Sequence, residues 1–183
     1  MRHPFLASCL VFALVGVIRA ADLESGPEKG AKIPALKVYD CTGENKEKTI
    51  DYAALRKDKV TVYLLLPADK FSRPMHRFIK KLDESANDDF QDVYLVAVWL
   101  TDDEPTTKER LPKIQMSVNY STTALCSYKG TDPKGWNVNG DVHLTVIVAA
   151  KGKVAARFAY NSVNDTDVPN VVKALTKVAT KKK

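Results

Sequence analysis

Residues 60–66 read Val-Thr-Val-Tyr-Leu-Leu-Leu, and residues 93–100 read Val-Tyr-Leu-Val-Ala-Val-Trp-Leu. Both are unbroken apolar runs rich in β-branched and aromatic side chains, the pattern of strands covered on both faces. Between them Met75, Phe78, Ile79, Leu82 and Ala86 recur at helical spacing and draw one apolar stripe along a helix. A loop from Pro67 to Pro74 separates the first strand from that helix. Ser72 stands at the N-cap position and Pro74 in the first turn, where a missing N–H has no partner to lose. Strand, helix, strand in that order predicts one crossover and two parallel neighbours.

Working outward, Leu144–Ala149 (LTVIVA) is a third strand, Lys151-Gly152-Lys153 a hairpin turn, and Val154–Tyr160 the antiparallel partner. Asp165 or Thr166 is then expected to cap a last helix on which Val168, Val171, Val172, Leu175 and Val178 share a face. Upstream, Ile33–Tyr39 alternates as a short strand, Cys41–Asn45 is a turn, and Thr49–Leu55 is a second short element. Pro105–Ile114 is weakly helical and very polar. Met116–Gly140, with Gly130, Pro133, Gly135 and Gly140, is expected to be irregular. The whole predicts an α/β fold with a mixed central sheet and helices on both faces, a three-layer sandwich. Val60–Leu66, Val93–Leu100 and Leu144–Ala149 should be adjacent. Phe78, Ile79 and Leu82 should bury against Val62, Leu64 and Val96.

The chain has 183 residues, 45% hydrophobic and 27% charged, which excludes a disordered or collagen-like chain. Its start has the layout of a secretory signal peptide: Arg2 and His3, an apolar run from Pro4 to Ile18, then Ile18-Arg19-Ala20 as a cleavage site. Cys9 lies inside that run rather than at its end, which argues against lipoprotein acylation. Nothing after Ala21 is long and apolar enough to span a membrane. The expected organisation is residues 1–20 signal peptide, 21–32 polar lead-in, 33–179 a single domain and 180–183 a basic tail, with the mature chain secreted or periplasmic. The net charge of +6 is scattered among acids apart from Lys181-Lys182-Lys183. No basic stripe with interleaved aromatics is present, so no nucleic-acid partner is expected. Cleavage would leave Cys41 and Cys126. An even count permits one disulfide in an exported protein, but nothing local fixes their proximity, and two separate buried thiols is the preferred reading.

The element order, the Pro-containing turn Phe71-Ser72-Arg73-Pro74-Met75 opening a long helix, and the segment His143-Leu144-Thr145 before an apolar strand and a Gly turn resemble thioredoxins over most of residues 33–178. The lead-in from Gly30 to Gly43 is similar to that of exported thioredoxin-like reductases and peroxiredoxins. In thioredoxins the turn carries Cys-Gly-Pro-Cys, and the later segment Ile-Pro-Thr with a cis-proline. The resemblance therefore implies that Ser72, Arg73, Pro74 and Met75 occupy the redox-site positions and that Leu144 replaces the cis-proline.

Those departures decide the expected function. Thiol–disulfide exchange needs a thiolate stabilised at a helix N-terminus. A Ser hydroxyl and a Met thioether supply none. A cis bond before a non-proline residue costs about 2.5–4 kcal/mol, so an ordinary trans bond is expected at Leu144. The resulting reading is a non-catalytic binding or structural module with no cofactor and an unidentified protein partner in the exported compartment. One alternative is a thiol oxidoreductase or peroxiredoxin-like antioxidant protein using Cys126 or Cys41. Another is a metal-binding protein using Met75, His76 and His143, ligand types that copper accepts. Asp102-Asp103-Glu104 is read either as a ligand-binding strand end or as a solvated helix start, and Trp136 as an exposed contact residue or, in the preferred reading, a lid over the core.

Overall fold

The computed structural model describes residues 23–182. The expected signal peptide of residues 1–20 and Lys183 lie outside the described residues. The chain runs β1 (Lys37–Asp40), β2 (Lys48–Asp51), α1 (Tyr52–Leu55), β3 (Thr61–Pro67), α2 (Arg73–Asp89), β4 (Tyr94–Thr101), α3 (Glu104–Val118), β5 (Thr123–Lys129), β6 (Leu144–Ala150), β7 (Lys153–Tyr160) and α4 (Val168–Leu175). One seven-stranded sheet has the order β2-β1-β5-β4-β3-β6-β7. β3 pairs in parallel with β4, and β4 with β5. β6 is antiparallel to β3 and to β7, and β1 is antiparallel to β5 and β2. The three strands expected to be neighbours, β4, β3 and β6, are adjacent, and the sheet is mixed.

Alternation along the central strands divides the core. Val62, Leu64 and Leu66 pack with Phe78, Ile79 and Leu82 of α2, Leu111 of α3 and Val171 and Leu175 of α4. Tyr63, Leu65, Val96 and Val98 face the other side, under Ile33, Leu36, Tyr52 of the four-residue α1, and Trp136. Val96 therefore does not meet the α2 stripe. Its neighbours Leu95 and Ala97 do, because successive side chains on a strand point to opposite faces. The three long helices thus share one face, and the other, where helix cover was also expected, has only the four-residue α1, the lead-in and Trp136. The lead-in is tied down. The Ser25 hydroxyl lies 2.6 Å from that of Thr145, Arg157 pairs with Glu24 at 2.8 Å, and the Ile33 N–H donates to Gly152 O. Residues 180–182 of the expected basic tail are likewise bound, with Gln91 N–H donating to Thr180 O and Lys182 N–H to Asp89 O.

The segment from Met116 to Gly140 is the main correction. Helix α3 continues to Val118, and β5 is a central strand whose first five residues are buried. Its sequence, TALCSYK, hides this because its polar members find partners inside. The Thr123 hydroxyl donates to Asp83 at 2.6 Å, and Ser127 Oγ donates to Glu104 at 3.4 Å. The last helix also begins differently: Asn164, not Asp165 or Thr166, forms the capping box, over a 3-10 turn that leads into α4. Thr49–Leu55 divides into the end of β2 and α1, where Asp51 accepts from Ala53 N and Ala54 N. Among the described residues no helix is long and apolar enough to cross a membrane.

Candidate functional site

Helix α2 points its N-terminus at the C-terminal end of β3, and the expected site residues gather there. Ser72 holds the N-cap position with extended backbone, φ −135° and ψ 165°, but its hydroxyl accepts no helix N–H. Ser72, Arg73 and Pro74 are exposed, whereas Met75 is 1% exposed and packs in the core. The thioether thus serves as core filling beside Phe78 and Leu144. Leu144 is fully buried, opposite Tyr160 in the β6–β7 register. The described residues contain no cis peptide bond. His143, half-buried, opens β6 and donates its backbone N–H to Tyr160 O at 2.9 Å.

His76 sits one residue inside α2 from Met75 and faces α3. Its ring meets that of Tyr120 edge-on, with centroids 6.4 Å apart. The His76 Nε2 and the Tyr120 hydroxyl are buried, and neither has a hydrogen-bond partner among the described residues. Burial pushes the Tyr120 phenol up from its ordinary range, with Asp83 adding to the shift. A groove of about 450 Å³ opens between the two helices. Phe71, Ile114 and Val118 supply its apolar surface, Arg73, Arg110 and Lys113 its charge, and Ser72, His76 and Ser117 its remaining polar groups. Phe71 leans on Trp99 (5.2 Å) and lies under the Arg110 guanidinium (5.9 Å). The α3 wall escaped the sequence reading because α3 buries only Thr107 and Leu111 and carries Pro112 inside it. The signal was nonetheless present: Arg110, Lys113, Ile114 and Ser117 are spaced i, i+3, i+4, i+7 along one face.

The thiols lie elsewhere. Cys41 follows β1 directly. Cys126 sits within β5 opposite Asp40, not in the irregular loop expected for it. Cys41 packs with the α2 side of the sheet and Cys126 with the other side. The two side chains therefore diverge, and both thiols are free and buried. Burial pushes Cys41 up to about 11, with the nearby Asp40 carboxylate reinforcing it against a hydrogen bond to Ser127. Burial, Asp40 and Cys41 push Cys126 well above the usual thiol range. Among the described residues no group of three or more His, Cys, Asp or Glu is arranged to hold a metal.

The acidic cluster is a helix start. Asp103 caps α3 by accepting from Thr106 N at 3.2 Å, which lowers its carboxyl pKa, and Glu104 pairs with Lys108 at 3.3 Å. Trp136 is the expected lid: it is fully buried, donates Nε1–H to Ala35 O at 3.1 Å and stands edge-on to Tyr63.

No protein-family model and no curated sequence matches the chain. Solved structures do. The chain is similar to the peroxidoxin BcpB of Mycobacterium tuberculosis, at 14% identity over 83% of this chain and 98% of that one, with a TM-score of 0.60. It is similar to the exposed lipoprotein thioredoxin of Streptococcus pneumoniae, at 12% identity over 79% and 100%, TM-score 0.54. A peroxiredoxin-like protein of Aquifex aeolicus matches at 19% identity over 82% and 90%, TM-score 0.52. At such identities the likeness speaks for the backbone alone, and with the strand order above it establishes that this chain has the thioredoxin-like fold.

Proposed function

We propose that the protein is an exported thioredoxin-like module that binds a partner and performs no thiol–disulfide or peroxide chemistry. The observation that carries this reading is the start of α2. A helix N-terminus stabilises a thiolate through its free N–H groups and dipole, and here that place holds an exposed Ser72 and a core-packed Met75. The thiols present, Cys41 and Cys126, are buried, and burial holds them protonated at neutral pH. Attack on a disulfide or peroxide requires the thiolate, so neither is equipped for it. Export rests on the layout of residues 1–20.

Purified protein lacking residues 1–20 is expected to reduce insulin and consume peroxide no faster than buffer. Wild-type activity that disappears in Cys126→Ser or Cys41→Ser would overturn the reading in favour of an oxidoreductase. The double variant Ser72→Cys, Met75→Cys tests the correspondence with the redox turn: it should form a disulfide across the pair and gain weak reductase activity. Sequencing the N-terminus of the protein recovered from the exported fraction tests cleavage after Ala20.

A further inference from the structure

We propose that the groove between α2 and α3 is the binding surface of this module, and that its occupant is a protein segment in which acidic residues flank apolar ones. The inference rests on the non-catalytic reading above and adds the chemistry of the partner. Arg73 on one wall and Arg110 and Lys113 on the other are exposed, and none makes a hydrogen bond or ion pair among the described residues. On the same helices Lys80 pairs with Glu84 at 3.6 Å and Lys108 with Glu104 at 3.3 Å, whereas Arg77 and Lys81, outside the groove, are unpaired among the described residues. The groove along β7 and α4 differs in holding a carboxylate: its Arg157 pairs with Glu24, although Lys173 and Lys177 there are unpaired among the described residues. No carboxylate lines the α2–α3 groove, so its three cations meet no counter-charge within it.

Its floor asks for apolar contact. Phe71, Ile114 and Val118 are only partly buried and form the apolar strip between the two charged walls. Arg110 is held over the Phe71 ring, which limits its freedom before any ligand arrives. The buried His76 Nε2 lacks a hydrogen-bond partner, and buried polar atoms are normally satisfied. The His76 ring also lines the groove. Cations on both rims with an apolar strip between them match a chain that alternates acidic and apolar side chains. A small carboxylate would engage one rim and leave the other solvated.

The test uses a short fluorescent peptide alternating glutamate and leucine, with two controls: lysine in place of glutamate, and serine in place of leucine. The wild type is expected to bind the first and neither control, more weakly as salt is raised. The double variant Arg110→Glu, Lys113→Glu is expected to lose at least about tenfold in affinity. Both positions are exposed, and a melting temperature equal to that of the wild type confirms that the variant folds. Equal binding of the lysine peptide, unchanged affinity in that folded variant, or no binding of the glutamate peptide would each overturn the proposal. Insulin reduction measured on the same preparations tests the non-catalytic reading separately, so the two failures are distinguishable.

Discussion

Helix α2 is finished at one end of its buried face and unfinished at the other. Towards its C-terminal half, Asp83 is fully buried and accepts from Ser121 N and Thr122 N at 2.8 Å each, from the Thr122 hydroxyl at 3.1 Å and from the Thr123 hydroxyl at 2.6 Å. Four donors from the segment entering β5 thus converge on one carboxylate. At the N-terminus the Ser72 hydroxyl caps nothing, Arg73 is unpaired among the described residues, and the buried Nε2 of His76 has no partner. A saturated polar group inside a protein is architecture: it welds α2 to β5. Exposed groups without a partner in the fold, here Ser72 and Arg73, are free to meet something outside it. The same helix therefore divides into a structural half and the half proposed here for recognition.

The contrast breaks first at Asp83. Asp83→Ala leaves the Ser121 and Thr122 N–H groups and the Thr123 hydroxyl without an acceptor, and should cost on the order of 4 kcal/mol in urea unfolding. A loss below about 1 kcal/mol would show that β5 is not held by this carboxylate. Next comes the apolar stripe: Leu82→Ala empties a fully buried position and should cost on the order of 3 kcal/mol. A smaller, pH-dependent effect comes from the buried thiol at the end of β1. Cys41 has its pKa raised from 9.0 to about 11 in the fold, so the unfolded chain gives up this proton first. Its contribution is complete below about pH 9 and is lost as pH rises through about 11. Stability should thus decline above pH 9, and the decline should lessen in Cys41→Ala. The smallest effect sharpens the comparison at helix starts. Asn164→Ala removes a capping box in use and should cost about 1 kcal/mol, whereas Ser72→Ala should change stability by less than about 0.5 kcal/mol. Equal costs for the two would mean that Ser72 is a working cap and that the start of α2 is as finished as its middle.

Where hydrophobic periodicity is strong, the elements are legible in the residues alone. VTVYLLL, VYLVAVWL and LTVIVA could only be central strands, and Met75, Phe78, Ile79, Leu82 and Ala86 lie buried as their spacing requires. The sequence also shows that the turn before α2 lacks a thiol, since that is a matter of residue identity. Tertiary structure decided the rest. β5 carries no apolar run, and its Thr and Ser residues become core only because Asp83 and Glu104, distant in sequence, accept their hydroxyl protons. The two cysteines were open to pairing on count alone. The register that sets Asp40 opposite Cys126 sends their side chains to opposite faces of the sheet. The groove likewise exists only when Arg73 is brought across from Arg110 and Lys113 by the packing of α2 beside α3. Local pattern encodes which face of an element is apolar, because that depends on neighbours a few residues away. Which polar groups meet depends on long-range pairing, which no local pattern records.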